Sequence, residues 1–201
     1  IDELGVGDRV VGMASTSIDY LEKYSNDASI KNLGTIKEAD LEAVMECEPD
    51  IIFIGGRLSK SYDALSEIAP VVYLATDTNE GLVNSVSKNA KTIASIFGME
   101  DKVDSLMSDF GARIDAIKKI SSGKTALVGM TTSGSFNLLG NDGRCSLIGV
   151  EAGFNNLTAA GSTSTHGNES SFETVVQQNP DYIFVMDRDS AISTAGAKTA
   201  K

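Results

Sequence analysis

Two runs of apolar residues in the middle of the chain recur with the three-to-four-residue period of an amphipathic helix. The first run comprises Leu82, Val83, Val86, Ala90, Ile93, Ala94 and Phe97. Gly98 follows at a position where the C-terminus of a helix favours glycine. The second run comprises Val103, Leu106, Met107, Phe110, Ile114 and Ile117. Lys118 and Lys119 in its last turn suit the helix dipole. The pattern predicts two consecutive helices that divide the chain into two flanks.

Both flanks alternate short apolar runs with helical patterns. The runs typical of strands lie at residues 8–13, 51–54, 71–74, 125–130 and 136–139. Helical patterns lie at residues 39–46, with Asp40 as a candidate N-cap, and at residues 61–68 and 146–153. Residues 131–135 and 155–170 are polar or rich in small residues, which indicates loops. Residues 20–32 are polar and predict a loop or a short helix. Strands that alternate with helices predict α/β construction with parallel sheets.

The two flanks also contain an internal repeat. Residues 40–57 and 171–188 align without a gap. The identical pairs are Glu42/Glu173, Val44/Val175, Pro49/Pro180, Asp50/Asp181, Ile52/Ile183, Phe53/Phe184 and Arg57/Arg188. Each segment predicts a helix, a Pro-Asp turn, a buried strand and then an arginine. Two similar lobes with an arginine at the carboxyl end of a strand indicate a ligand-binding cleft.

The composition is that of an ordinary globular protein, with 41% hydrophobic and 22% charged residues over 201 positions. The formal net charge of -11 argues against nucleic acid or an anionic membrane as the main partner. The first six residues resemble the end of a helix that starts earlier, and the last residues complete no element. We therefore interpret the sequence as a piece of a longer protein.

Three arginines lie in predicted loops at strand or turn ends, namely Arg57, Arg144 and Arg188. The planar guanidinium is always charged and suits a polyanionic ligand. Loop arginines are more often simply solvated, and the flanking Asp187 and Asp189 offer Arg188 a pairing within the protein. The repeat nevertheless favours the interpretation as a binding site.

His166 is the single histidine and lies in a polar loop before the second repeat. Such a residue is more often structural or exposed than a ligand, and no cysteine or second histidine stands beside it. A self-contained transition-metal site is therefore not expected. Cys47 and Cys145 are far apart in sequence, and we predict two reduced thiols, with Cys47 buried on a helix.

The sequence contains no motif of a known catalytic centre. It has no G-x-S-x-G elbow, no phosphate-binding P-loop and no H-E-x-x-H motif. The candidate residues are suited to recognition and include no evident nucleophile or general base. We therefore predict a binding protein and not an enzyme.

The ordered motifs resemble those of bacterial siderophore-binding lipoproteins, the substrate-binding components of iron-uptake ABC transporters. The stretches that carry the resemblance lie at residues 33–34, 40–63, 68–70, 141–144, 165–167 and 179–188. They include Ile-Gly-Gly-Arg at 54–57, Asn-Asp-Gly-Arg at 141–144 and Thr-His-Gly at 165–167. Among these proteins the chain is most similar to the type that binds ferric catecholates of the petrobactin or enterobactin kind.

The resemblance implies a class III periplasmic-binding-protein fold with two Rossmann-like lobes of parallel sheets joined by one long helix. The domains it implies are an N-terminal lobe at 1–79, a linking helix at 80–98 and a truncated C-terminal lobe at 99–201. It implies that Arg57, Arg144 and Arg188 neutralise catecholate oxygens in the cleft, and that His166 completes the coordination of Fe(III). Family members extend beyond both ends of this chain, and a tyrosine iron ligand lies in the part that follows.

The resemblance further implies an extracytoplasmic, periplasmic or lipid-anchored monomer without an intrinsic cofactor. Its partners would be a ferric siderophore and a membrane permease, docked through exposed acidic residues such as Glu42. Two alternatives stay open. One is the same fold with cobalamin or haem as ligand, and the other is an α/β enzyme that acts on an anionic small molecule.

Overall fold

The computed structural model of the protein describes residues 1–77, 80–143, 145–158 and 167–191. Its helices there are α1 (Glu22–Ser25), α2 (Leu41–Glu46), α3 (Tyr62–Ser66), α4 (Leu82–Phe97), α5 (Glu100–Ser121), α6 (Phe172–Gln178) and α7 (Arg188–Ala191). Its strands are β1 (Gly12–Met13), β2 (Lys31–Asn32), β3 (Ile52–Ile54), β4 (Val71–Tyr73), β5 (Thr125–Thr132), β6 (Ser135–Leu138), β7 (Asn155–Asn156), β8 (Asn168–Glu169) and β9 (Tyr182–Asp187). The predicted α/β class is confirmed.

The two helices predicted in the middle of the chain are α4 and α5. Gly98 separates them with a φ of 65°, the left-handed conformation that favours glycine after a helix. The chain divides into two compact units within these helices. Unit 1 comprises Ile1–Thr76 and Lys88–Val103, and unit 2 comprises Asp77–Ser87 and Asp104–Lys201. Among the described helices, none is long and apolar enough to cross a membrane.

Unit 1 contains two pairs of parallel strands, β1 with β2 and β3 with β4. Its core forms where α2, β3 and α3 meet through Val44, Ile54 and Leu65, all at most 4% exposed. The predicted N-cap of α2 is correct, since the carboxylate of Asp40 accepts a hydrogen bond of 3.0 Å from the N–H of Ala43.

Unit 2 is built around β5, whose residues 126–130 are buried on both faces, as its continuous apolar sequence predicts. β9 pairs in parallel with β5 along residues 126–131. β7 pairs in parallel with the start of β5, and β6 pairs antiparallel with its end. Since β9 overlaps both of these pairings, it must occupy the other edge of β5.

The sheet departs from the expected parallel arrangement at β6, which pairs antiparallel with both β5 and β8. The sequence predicts a loop at residues 131–135, but the strands extend to Thr132 and resume at Ser135. Ser133 and Gly134 have φ values of 51° and 81° and form the tight connection of a β-hairpin. The ring of Phe136 packs directly against Gly129. A Cβ at residue 129 would lie 2.2 Å from this ring, so the ring fills space that a larger residue would occupy.

Several local predictions were wrong in extent. The first strand covers only Gly12–Met13, because Gly7–Arg9 forms a 3₁₀ turn. The helix predicted at 146–153 is a π-helical turn at Leu147–Glu151. Neither cysteine is in a disulfide, as predicted, but Cys47 is half-buried and follows the last residue of α2 instead of being buried within it. Short elements at chain bends depend on their neighbours more than on their own sequence.

Candidate functional site

The internal repeat is present in the structure as helix, Pro-Asp turn and strand in both units. α2 and β3 form the first copy, and α6 and β9 form the second. Each helix begins with a side-chain cap, and in α6 the hydroxyl of Ser171 accepts a hydrogen bond of 3.2 Å from the N–H of Thr174. Each strand leads into a helical turn, and that turn contains the arginine. The repeat therefore positions Arg57 and Arg188 alike, each just beyond the carboxyl end of its strand.

Arg57 lies in the 3₁₀ helix Gly56–Ser61 that follows β3, and it is exposed. Among the described residues, its guanidinium has no hydrogen-bond or ion-pair partner. The two residues before it are glycines, and a side chain at Gly55 would meet no atom within 4 Å. The arginine of unit 1 thus stands on an open surface with its donors available to a ligand.

Arg188 is the first residue of α7 and is partly enclosed, with 32% of its side chain exposed. Its Nη1 lies 3.4 Å from the hydroxyl of Thr132 and 3.8 Å from a carboxylate oxygen of Asp189. Asp189 is 4% exposed. The expectation from the sequence that an adjacent aspartate pairs with Arg188 is therefore correct for Asp189.

The carboxylate of Asp189 also stabilises the β5–β6 turn. Its Oδ2 accepts a hydrogen bond of 2.6 Å from the N–H of Ser133. The carboxylate of Asp187 accepts bonds of 3.1 Å and 3.0 Å from the N–H and hydroxyl of Ser190 and so caps the start of α7. Arg188 is thereby held in place by its own protein, in contrast to Arg57. Thr132 and Ser133 were not identified from the sequence, because only the fold brings them to this helix.

Asp181 of the second Pro-Asp pair fixes the beginning of β9 against β5. Its Oδ2 accepts hydrogen bonds of 2.8 Å and 2.9 Å from the N–H and hydroxyl of Thr125, and its own N–H donates to that hydroxyl at 2.9 Å. The Thr125 amide, followed by its hydroxyl, lowers the pKa of Asp181 below the ordinary value, with a smaller contribution from the ammonium of Lys124 at 3.6 Å. This contact sets the register of the strand that ends at Arg188.

The two remaining candidates, Arg144 and His166, lie outside the described residues. Of the four predicted site residues, the structure therefore describes Arg57 and Arg188. In the described part of the chain, no three His, Cys, Asp or Glu side chains are grouped so that they could hold a metal ion.

Unit 1 contains a cavity of about 850 Å³ that does not coincide with the arginine. It is lined mainly by apolar side chains of β1, β3 and the end of α4, among them Val11, Phe53 and Ile96, and Arg57 is not part of its lining. Its charged lining residues are the acidic Asp8, Glu48 and Asp50 and one basic residue, Arg9, so an anion would find little compensation there for lost hydration. The electrostatics therefore favour the open surface at Arg57 as the place where an anionic ligand would bind.

Comparison with known proteins gives a consistent result over the whole chain. The sequence profile described as "Periplasmic binding protein" matches residues 1–201. The petrobactin-binding protein YclQ of Bacillus subtilis is 37% identical over 199 residues, which are 96% of this chain and 61% of that protein. Its crystal structure superimposes with a TM-score of 0.88 and 36% identity, covering 99% of this chain and 69% of that one.

Two further proteins are similar over the same region. The ferric-anguibactin-binding protein FatB of Vibrio anguillarum is 25% identical over 96% of this chain and 61% of its own length. The crystal structure of the catecholate-siderophore-binding protein VctP of Vibrio cholerae gives a TM-score of 0.87 and 28% identity, covering 98% of this chain and 69% of that one. The chain thus spans about 61% of the length of the curated relatives it matches.

Proposed function

The chain belongs to the periplasmic binding protein family, and from that premise we propose that the whole protein captures an anionic ferric siderophore for an ABC transporter. The relatives named for a siderophore ligand support this proposal across nearly the full chain. The function is binding and delivery, without a catalytic step.

The observation that carries the proposal is the repeated arginine. Arg57 and Arg188 occupy matching positions of the repeat and follow the carboxyl ends of β3 and β9, in a protein whose net charge is -11. The general field of such a protein repels anions, so a ligand with ionised oxygens needs local positive charge. The guanidinium of Arg57, which has no partner among the described residues, supplies it, and its paired N–H donors fit two adjacent catecholate oxygens.

We propose that Arg57, Arg144 and Arg188 contact the oxygens of the siderophore and that His166 contributes a ligand to Fe(III). Fe(III) is a hard cation that prefers oxygen ligands, so the siderophore supplies most of its coordination. The protein then needs to supply charge compensation and at most one imidazole nitrogen. In this proposal residues 1–79 and 99–201 form the two lobes and residues 80–98 form the linking helix.

The extracytoplasmic location follows from the family, whose members are periplasmic binding proteins. We propose that the protein acts as a monomer and delivers its ligand to a membrane permease. Glu42 is exposed on α2 and is a candidate for contact with a basic residue of the permease. A charge reversal at Glu42 that slows iron uptake without changing ligand affinity would support this contact, and unchanged uptake would exclude it.

The proposal is tested by titrating the full-length protein with ferric petrobactin, with ferrioxamine as a ferric hydroxamate, and with cobalamin. The five tyrosines of the chain contribute emission that a bound ferric complex quenches, so intrinsic fluorescence reports the binding. Tight binding of ferric petrobactin alone is the expected result. Tight binding of cobalamin instead would establish a different ligand class, and no binding of any of the three would overturn the siderophore proposal.

A further inference from the structure

Tyr73 is the last residue of β4, directly opposite Ile54 in the parallel pair β3–β4. The carboxyl ends of parallel strands lie at the same edge of a sheet, the edge at which α/β proteins bind ligands. Tyr73 therefore lies at the edge from which the Arg57 turn begins. Its side chain is 47% exposed, and among the described residues its hydroxyl has no hydrogen-bond partner.

The phenol of Tyr73 reaches over the glycine that precedes Arg57. Its oxygen lies 3.6 Å from the position that a Cβ of Gly56 would occupy. Gly56 does not have a left-handed φ, and a Cβ there would make ordinary van der Waals contact with the phenol oxygen, so glycine leaves this space open without being required by the backbone. With Gly55 also open, neither residue between β3 and Arg57 has a side chain to fill the space beside the tyrosine ring.

The second copy of the repeat lacks this opening. Met186 and Asp187 occupy the positions that match Gly55 and Gly56. Asp187 caps α7, and Arg188 is already bonded to Thr132 and Asp189. An unpaired arginine, a glycine pair and an exposed aromatic ring thus occur together in unit 1, whereas the arginine of unit 2 is engaged with its own protein.

We infer that Tyr73 and Arg57 form one subsite that takes a single dihydroxyphenyl ring of the ligand, an inference that rests on the proposed function. The guanidinium of Arg57 donates hydrogen bonds to the two ring oxygens. The face or edge of the Tyr73 ring packs against the ligand ring above Gly55 and Gly56. The subsite selects an aromatic chelating group over an aliphatic hydroxamate, because only an aromatic ring gains the ring-to-ring contact.

Isothermal titration calorimetry of full-length Tyr73→Ala and Tyr73→Phe with ferric petrobactin tests the inference. We expect the affinity of Tyr73→Ala to fall about tenfold, the range of an aromatic pair, and that of Tyr73→Phe to change less than about threefold. Calorimetry is the right readout because removing a tyrosine also changes the emission signal. Thermal unfolding of both variants verifies that they fold.

Tyrosine emission gives a second, independent readout. If Tyr73 contacts the ferric complex, Tyr73→Phe loses more of the ligand-induced quenching than Tyr182→Phe. Tyr182 is a matched control because it is 41% exposed and lies at the opposite, amino-terminal end of its strand.

The outcomes separate the inference from the proposed function. Wild-type protein that binds none of the three ligands of the first titration overturns the proposed function itself. Wild-type protein that binds, with Tyr73→Ala equal to it in affinity, leaves the function intact and overturns the subsite. A loss in Tyr73→Phe as large as that in Tyr73→Ala would also overturn it, because the hydroxyl would then be the contact instead of the ring.

Discussion

Glu48 and Asn179 adopt the same left-handed backbone conformation, with φ values of 45° and 43°, and each directly precedes the proline of a Pro-Asp pair. The amides of both residues donate a hydrogen bond to a backbone carbonyl at the end of the preceding helix. Glu48 N–H donates to the carbonyl of Met45 at 3.0 Å, and Asn179 N–H donates to the carbonyl of Val175 at 3.3 Å. The internal repeat therefore extends to the backbone at a position where the two sequences differ. The proline prevents each helix from continuing, and the left-handed residue before it redirects the chain towards the strand.

This conformation predicts the effect of substitutions at Asn179. Asparagine tolerates the left-handed region, whereas alanine is strained there. We expect Asn179→Ala to lower the free energy of unfolding by about 1 kcal/mol and Asn179→Gly to leave it nearly unchanged. Urea denaturation measures both values. Equal stability of the alanine and glycine variants would contradict a role for backbone strain.

The contact between Asp181 and Thr125 predicts a dependence of stability on pH. Because the folded state lowers the pKa of Asp181 below 3.8, the ionised carboxylate stabilises the fold above that value. This stabilisation is lost as the pH falls through the lowered pKa. We expect Asp181→Asn to be less stable than wild type near neutral pH and to lose less stability on acidification, as measured by denaturant unfolding across the acidic range.

Asp50 provides the matched control for this experiment. It occupies the corresponding position of the first repeat, but its side chain makes no hydrogen bond among the described residues. Asp50→Asn removes the same charge without removing the contact with a threonine. If the pH dependence of the unfolding free energy changes as much in Asp50→Asn as in Asp181→Asn, the loss of a negative charge alone, and not the loss of the Thr125 contact, is responsible.

The side chain of Glu151, although far from α4 in the sequence, is expected to stabilise the N-terminus of α4. Its Oε1 accepts a hydrogen bond of 3.2 Å from the N–H of Val83, one of the amides that a helix leaves without an internal partner. The negative charge also suits the N-terminus of the helix. Glu151→Ala should lower the free energy of unfolding by about 1 kcal/mol, and Glu151→Gln, which keeps the acceptor, by less.

Thermal unfolding of the two Glu151 variants measures this effect. Glu67→Ala is a suitable control because Glu67 is exposed and follows the short helix α3. Equal unfolding of Glu151→Ala and wild type would exclude the cap as a source of stability.

Arg57 and Arg188, the two candidate site arginines that the structure describes, should respond differently to removal. Arg57→Ala should weaken ligand binding by about 1.5–3 kcal/mol, the value of a charge-assisted hydrogen bond, and leave stability unchanged. This corresponds to a roughly ten- to hundredfold weaker Kd. Arg188→Ala should in addition lower the free energy of unfolding by about 1 kcal/mol, because Asp189 stays buried without its cation. Calorimetric titration and denaturant unfolding measure the two effects separately.

An unchanged Kd in Arg57→Ala would remove Arg57 from the site. Arg113→Ala is a control for charge alone, since Arg113 lies on α5 away from any strand end. A loss of affinity in this variant equal to that of Arg57→Ala would point to long-range attraction by net charge instead of a direct contact.

Much of the local structure could be predicted because its causes are local. The spacing of Leu82, Val86, Ile93 and Phe97 predicts α4, and Asp40 marks the start of α2, because helix period and capping depend on residues a few positions apart. The repeat makes Arg57 and Arg188 equivalent at the level of sequence, since both arginines follow strands of the same pattern.

The sequence by itself thus determined the α/β class, the main helices and the two arginines that follow matched strands. Only the tertiary structure decided that Arg57 has no partner within the described part of the chain while Arg188 is bonded to Thr132 and Asp189, and that Tyr73 lies over Gly56. The β-hairpin turn at Ser133 and the hydrogen bond by which Glu151 caps α4 at Val83 were likewise decided only by the tertiary structure. Such contacts join residues far apart in the chain, and their geometry is fixed only when strands pair and helices pack.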